Sequence, residues 1–159
     1  QKTAYEIASC LVGSEMCIRD RDKTKRALPK PTPETAHFWE GTKSKKLLLQ
    51  SCLSCYHTYF PPRPFCPACG SKDVKIRTAS GKATLDSYVI NHRKHPAFES
   101  PYSIAIVKLE EGPQMMTNIV DCPQTPEALQ LDMPLAVKYE ELTDEITLPL
   151  FAPVRVSDE

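Results

Sequence analysis

The sequence predicts a mainly β protein: a short N-terminal helix and a metal-binding ribbon, followed by a five-stranded barrel. Two CxxC pairs, Cys52 to Cys55 and Cys66 to Cys69, are separated by ten residues. Fifteen prolines against five glycines favour turns and extended connections over long helices. From residue 81 onward, short apolar segments alternate with turn signals at the spacing typical of an all-β domain.

The two CxxC pairs predict a closed structural metal site. Four thiolates can surround one ion as a tetrahedron, which is the geometry of a structural zinc centre. Gly70, directly after the second pair, supplies the permissive backbone that such a knuckle needs. Because the protein supplies all four ligands, we expect a structural zinc ion and not a catalytic one, although the spacing alone also suits iron. The predicted ligands are Cys52, Cys55, Cys66 and Cys69.

Two alternatives concern the residues of this cysteine cluster. The cysteines can be ordinary buried thiols or disulfides, but a disulfide framework fits poorly with a sequence in which we recognise no secretory signal. His57 lies between the two pairs and can in principle bind metal. With four thiolates available, we expect it on the surface of the hairpin.

Composition bounds the classes of function. The 159 residues suffice for one ordinary domain and a small metal-stapled one. Because 20 Lys and Arg balance 20 Asp and Glu, the charge argues against a protein that mainly grips nucleic-acid phosphates. No apolar run approaches the length of a membrane span. Together with the cysteine usage, this leads us to expect a cytoplasmic protein with no membrane partner.

The first 21 residues are expected to have a different origin from the rest of the chain. The peptide from Met16 to Arg21 reads as the translation of a transposase adapter used in preparing sequencing libraries. We therefore expect residues 1–21 to be an assembly artefact, the alternative being a disordered leader, and exclude them from predictions of the fold.

Residues 22–45 are predicted to form a polar arm and a helix. Thr32 can cap the helix, Pro33 suits its first position, and Glu34 favours the positive end of the helix dipole. The helix is expected to end by about Ser44, with Gly41 as a weak point inside it.

Two adjacent aromatic residues, Phe38 and Trp39, lie within this helix. Neighbours in a helix cannot share one narrow stripe. Either both cover the protein's own core, or one packs on the ribbon while the other stays available for a partner.

Residues 46–79 are predicted to form the ribbon. Strands are expected over Lys46–Gln50, Tyr56–Phe60 and Asp73–Thr78. The proline-rich passage 61–64 between the knuckles should be stiff and extended.

Residues 80–153 are predicted to form the barrel, and 154–159 a tail. A short helical segment is expected over Pro123–Leu131, between the third and fourth strands. Five strands with a helix in that place are the outline of an OB-fold. Because Tyr102 to Val107 is apolar on both faces, we expect the second strand to be covered on two sides. The strands are predicted over Lys82–Asn91, Tyr102–Glu110, Gln114–Val120, Leu135–Leu142 and Glu145–Phe151.

With both halves described, residues 31–153 resemble the DUF35 family, which joins a rubredoxin-like zinc ribbon to an OB-fold. The resemblance lies in the order of the parts, the four cysteines and several short motifs. These motifs are Phe38-Trp39-Glu40-Gly41, Phe60-Pro61-Pro62-Arg63-Pro64, Cys66-Pro67-Ala68-Cys69-Gly70-Ser71, Gly81-Lys82-Ala83-Thr84 and Thr147-Leu148-Pro149.

The resemblance implies a non-catalytic accessory subunit in a hetero-oligomer. Such proteins are similar to partners of an acyl-CoA thiolase, a lipid-transfer-protein-type aldolase or a hydroxymethylglutaryl-CoA synthase, where they help form or cover the coenzyme A and acyl channel. The pathways implied include sterol side-chain breakdown, aromatic degradation and isoprenoid synthesis. The sequence does not choose among them.

One local cluster suits a phosphate-bearing ligand such as coenzyme A. It lies in the loop between the first two barrel strands, one of the loops by which OB-folds bind ligands. Its cations can meet phosphates, and its aromatic residues offer apolar surface to adenine or pantetheine; the alternative is a solvated basic loop. The candidate ligand-binding residues are His92, Arg93, Lys94, Phe98 and Tyr102.

We expect no catalytic residues in this chain. Cys122 is the one cysteine outside the ribbon and the excluded segment, and its neighbour Asp121 disfavours a thiolate. No GxSxG, P-loop or dinucleotide motif is present. The competing hypothesis is a nucleic-acid-binding protein, since ribbons and OB-folds both serve that role. It requires a basic groove with interleaved aromatic residues, which balanced charge and 8% aromatic content do not favour.

Overall fold

The computed structural model describes residues 27–95 and 97–154. The suspected artefact at 1–21 lies outside this range, as does the predicted tail beyond Val154. The helix is α1 (Ala36–Lys43), and the first three strands are β1 (Leu48–Cys52), β2 (Thr58–Tyr59) and β3 (Val74–Thr78). The remaining strands are β4 (Lys82–Asn91), β5 (Tyr102–Leu109), β6 (Gln114–Thr117), β7 (Pro134–Glu141) and β8 (Thr147–Pro153).

The first sheet is the ribbon. Its strand order is β2-β1-β3, and both pairings are antiparallel. Gln50 pairs with Tyr59 on one side and with Ile76 on the other, so β1 is the central strand. The three ribbon strands are therefore confirmed, with β2 shorter than predicted.

The second sheet is a curled half-barrel with the strand order β6-β5-β4-β7-β8. All four pairings are antiparallel. The two ends of the sheet meet through a parallel bridge between Ile119 and Phe151. Hydrogen bonds reinforce it, from Val120 N to Phe151 O (2.8 Å) and from Phe151 N to Asn118 O (3.2 Å). This arrangement confirms the predicted OB-fold.

One buried core joins the helix, the ribbon and the barrel. Phe38 from α1 and Leu47 and Leu49 from the ribbon belong to the same cluster as the barrel core. A smaller cluster around Cys52 and Cys66 lies beneath the metal knuckles. The barrel residues of the main cluster include Ala83, Leu85, Ala105, Val107, Leu109, Leu135 and Phe151.

The helix begins at Ala36, so the predicted cap at Thr32 is wrong. Thr32 N donates to Thr35 Oγ1 at 2.9 Å, and Ala36 N donates to Thr32 O at 2.8 Å. Because the two threonines bond to each other, residues 32–35 form a local turn ahead of the helix.

The predicted helix over Pro123–Leu131 is also wrong. This segment contains a single turn, in which Ala128 N and Leu129 N both donate to Thr125 O. Leu129 is fully buried in the barrel core, and Asp132 adopts a positive φ of 63°. The side chain of Leu129 therefore fixes this connection to the barrel core. The chain then turns at Asp132 and enters β7 at Pro134, so the single turn does not extend into a helix.

The two-sided burial predicted for Tyr102 to Val107 is not observed. Burial along β5 alternates, with Ser103, Ala105 and Val107 inside the barrel. Ile104, on the other face, is 40% exposed. The apolar outer face of β5 is therefore a surface feature.

No helix in residues 27–95 and 97–154 has the length and apolar character needed to cross a membrane.

The close approach of α1 to β1 is open to a direct test. A Cβ atom at Gly41 would lie 2.6 Å from Leu48 Cγ and 3.0 Å from Lys46 O. Although Ala is the better helix former, we expect Gly41→Ala to destabilise the protein by about 1–3 kcal/mol through overpacking. Urea unfolding measures this change. The double variant Gly41→Ala, Leu48→Ala should recover part of the loss, and an unchanged midpoint for Gly41→Ala would contradict the packing.

Candidate metal centre and apolar groove

The two knuckles bring four sulfur atoms to one point. The Sγ atoms of Cys52, Cys55, Cys66 and Cys69 all lie within 4.8 Å of one another. Two pairs, Cys52 with Cys69 and Cys55 with Cys66, are 3.6 Å apart. Sulfur atoms placed tetrahedrally around zinc are about 3.8 Å apart, which is close to the two 3.6 Å separations, so the four cysteines suit a zinc ion. A zinc ion bound here has no open position and stabilises the ribbon.

The two knuckles have equivalent backbones but different residues at the same place. Tyr56 N donates to Cys52 O at 3.0 Å, and Gly70 N donates to Cys66 O at 2.9 Å. Both residues have positive φ, 59° for Tyr56 and 73° for Gly70. The predicted role of Gly70 is confirmed. Tyr56 adopts the same conformation at a cost of about 1 kcal/mol, because its side chain crowds the backbone.

The cysteine thiols influence one another's ionisation. Burial raises the pKa of Cys52, but the N–H groups of Cys55 and Ser54 donate to its sulfur and lower the pKa to about 6. The N–H of His57 lowers the pKa of Cys55, but the Cys69 thiol, burial and the other cysteines raise it to about 12. The four thiols therefore do not all ionise at neutral pH by themselves, and a bound cation is needed to stabilise four adjacent thiolates.

Two further sequence candidates lie apart from the metal cluster. His57 is exposed and its ring stacks on Tyr59, with centroids 6.1 Å apart, as expected for a surface residue of the hairpin. Cys122 is partly buried, and burial together with Asp121 raises the pKa of its thiol. Neither residue belongs to the cluster of sulfurs.

An apolar groove opens on the barrel surface beside the helix. Its volume is about 440 Å³, within the range of small-molecule sites. Phe38 packs against Trp39 and Phe60 at centroid distances of 5.1 and 5.2 Å and forms one wall. The groove is lined by Phe38, Trp39, Phe60, Phe98, Tyr102, Ile104, Met115, Met116, Thr117, Asn118, Leu148, Pro149 and Leu150.

The β4–β5 loop contributes aromatic residues to this groove. Phe98 and Tyr102 are stacked with centroids 4.6 Å apart, and Asn91 Nδ2 donates to Tyr102 Oη at 2.7 Å. The structure therefore places these two sequence candidates in the groove wall. His92, Arg93 and Lys94 are exposed on the loop and are not among the lining residues.

Ile104 and Met116 are among the groove residues that the sequence patterns did not identify as candidates. Met116 is 72% exposed and pairs with Ile106 across β5 and β6. Val89, 65% exposed, pairs with Ile104 from the other side. The available signal is the run of apolar residues on both faces of β5, because such a run is compatible with an exposed apolar face as well as with burial on two sides.

The two sheets and the four-cysteine cluster define a protein with a zinc ribbon and an OB-fold. Residues 39–75 match the family described as "ChsH2, rubredoxin-like zinc ribbon domain", and residues 77–140 match "ChsH2, C-terminal OB-fold domain". A DUF35 domain-containing scaffold protein of Methanothermobacter thermautotrophicus is 31% identical over 116 residues, which are 70% of this chain and 86% of that protein. The chain therefore belongs to the DUF35 family.

Two other similar proteins carry more specific names. A solved chain of the Ltp2-ChsH2(DUF35) aldolase has a TM-score of 0.71 and 37% identity, and the match covers 79% of this chain and 98% of that one. The probable enoyl-CoA hydratase alpha subunit of Thermomonospora curvata is 36% identical over 140 residues. That match covers 87% of this chain but only 43% of the relative, so the chain spans less than half of its length.

The metal assignment predicts a difference between cysteines. Cys55→Ser and Cys69→Ser should each lose most of the bound zinc and unfold the ribbon, because a three-thiolate site leaves the ion exposed to water. Cys122→Ser, the matched control, should retain one zinc per chain. Elemental analysis with near-ultraviolet circular dichroism checks both expectations. Full zinc content in Cys55→Ser would contradict a four-cysteine site.

Zinc affinity should rise with pH. Despite the Ser71 N–H, the Cys52 thiol and burial raise the pKa of Cys69, and the pKa of Cys55 is about 12. Both thiols are protonated at pH 7 in the metal-free cluster, so binding must displace at least two protons. Affinity should therefore increase by at least about a hundredfold per pH unit near neutrality and fall on acidification. Competition with a chromophoric chelator at pH 6.5 and 7.5 measures the slope, and a flat profile would contradict the expectation.

Proposed function

We propose that this protein is a non-catalytic partner subunit that docks on a thiolase-type enzyme and helps to bind or channel acyl-CoA. The enzyme is a thiolase, a lipid-transfer-protein-type aldolase or a hydroxymethylglutaryl-CoA synthase. The observation that carries the proposal is the apolar groove beneath the cationic β4–β5 loop. The names of the relatives support it, because they include a scaffold protein, a hydratase subunit and an aldolase complex.

The groove suits the apolar part of an acyl-CoA or of the enzyme that holds it. Ile104 and Met116 present exposed apolar surface, and Trp39, which packs partly against the main core, lines the same groove. An exposed apolar patch with a polar rim is typical of an interaction site. Nearby, Arg93 and Lys94 offer cations to the phosphates of coenzyme A, while Phe98 and Tyr102 connect the loop to the groove.

The chemistry of the chain supports a role without catalysis. Its metal site is closed by four cysteines and leaves no position for a substrate. The raised pKa of Cys122 disfavours a thiolate nucleophile. The hydratase name of the Thermomonospora relative belongs to a protein more than twice as long as the matching part. The name supports acyl-CoA as the ligand class, but it does not assign the hydration reaction to the part of the relative that this chain matches.

Association with a partner is the first test. A chain beginning at Asp22 is co-expressed with each candidate thiolase-type enzyme, and thiolysis and aldol cleavage are assayed with and without the subunit. We expect a stable complex and subunit-dependent activity. Met116→Asp should lower association at least tenfold, because docking would bury a carboxylate. Leu131→Asp, which changes an exposed leucine outside the groove, serves as the matched control.

Absence of association in the wild-type chain would contradict the proposal. The nucleic-acid hypothesis would then be tested with a labelled oligonucleotide. Binding that weakens steeply with salt would favour it over the enzyme partner.

The cationic loop is tested on the complex. Replacing Arg93 and Lys94 by Ala should weaken coenzyme A binding by about fivefold to tenfold, because two exposed cations near the phosphates are lost. Titration calorimetry measures this change at low and physiological salt. The double variant Lys72→Ala, Lys75→Ala removes two exposed ribbon lysines and should bind as the wild type does. Equal affinity in the Arg93 and Lys94 variant would exclude the loop from the ligand site.

A further inference from the structure

A second cleft lies between the first metal knuckle and the turn that joins β5 to β6. Its volume is about 650 Å³, and it shares only Phe60 with the lining of the apolar groove. Tyr56 and His57 come from the knuckle, Arg63 from the passage between the two knuckles, and Glu111 and Gln114 from the barrel. The cleft therefore combines aromatic rings with charges of both signs.

Tyr56 is the unusual residue of this cleft. It is 84% exposed, so its side chain contributes little to the core. It also occupies a left-handed backbone position that the second knuckle fills with Gly70. Strained backbone positions of this kind cluster at functional sites. Tyrosine is enriched at the centres of protein interfaces, where its ring fills a pocket on the partner.

Glu111, in the turn between β5 and β6, contributes a carboxylate to the lining of the cleft. Its Oε1 atom accepts the Ser80 N–H at 2.6 Å, which fixes the carboxylate. In the part of the chain that the structure describes, the buried Oε2 atom has no hydrogen-bond partner. The carboxylate, held by Ser80, places a negative charge at the wall of the cleft, which favours a partner segment that carries N–H groups or positive charge.

We infer that this cleft, centred on Tyr56, receives a loop of the partner enzyme. The inference rests on the proposed function and adds a second contact surface to it. A protein loop supplies N–H donors for Glu111, a carboxylate for Arg63 and a pocket for the Tyr56 ring. A nucleic acid would place phosphates against the Glu111 carboxylate, and an acyl chain would satisfy neither charge.

The test separates strain from binding. Tyr56→Gly introduces the residue that the second knuckle uses, so the zinc content and the melting temperature should stay close to wild type. The dissociation constant for the partner enzyme, measured by biolayer interferometry on the full chain, should rise at least tenfold. Glu111→Gln keeps an oxygen that can accept the Ser80 N–H but removes the negative charge at the cleft wall, and it should weaken binding several-fold. Leu131→Ala is the control and should bind as the wild type does.

Three other results would each contradict the proposed docking of an enzyme loop in this cleft. If the wild-type chain binds the enzyme and Tyr56→Gly binds equally well, the cleft is not the docking site, although the proposed function stands. If the wild-type chain binds no thiolase-type enzyme, both proposals fail. If light scattering shows a dimer of this chain that Tyr56→Gly dissociates, the occupant is a second copy and not the enzyme.

Discussion

Strand β1 belongs to two cores at once, and the rest of the structure depends on this sharing. Leu49 is fully buried in the main core, and Cys52, three residues later, belongs to the four-cysteine cluster. Between them, Gln50 accepts the Arg63 N–H, and the Ser51 hydroxyl bonds to that of Thr58. Because one continuous strand carries both sets of contacts, the energy of metal binding is coupled to the packing of helix and barrel.

This coupling fixes the relative positions of the candidate contact surfaces. The apolar groove uses Phe38 and Trp39 from the helix, Phe60 from the ribbon and Leu148 from the barrel. The knuckle cleft combines Arg63 of the ribbon with Glu111 of the barrel. Neither surface lies within one sheet alone. A metal that performs no chemistry itself can therefore determine whether either surface is correctly assembled.

The sequence predicted those features that local chemistry determines. Four cysteines at metal spacing specify their own geometry, and Gly70 follows from the turn that the second knuckle requires. Strand β4 was predicted with its observed bounds, Lys82–Asn91, because alternation and flanking turns define it locally. In contrast, the helix begins at Ala36 because Thr35 bonds back to Thr32, a local competition that the capping pattern does not reveal. The exposed face of β5 depends on what packs against it, and apolar character alone cannot distinguish an internal neighbour from an external one.

The bridge between Ile119 and Phe151 has a consequence for synthesis of the chain. Ribbon residues leave the ribosome before those of the barrel, which can close only after residue 151 has emerged. The groove also needs Leu148 and Pro149 of the last strand. A nascent chain that has already formed its metal knuckles therefore still lacks the finished groove, and its inward-facing apolar residues remain open to other chains. Any partner that recognises the finished groove can therefore bind only after β8 has joined the sheet.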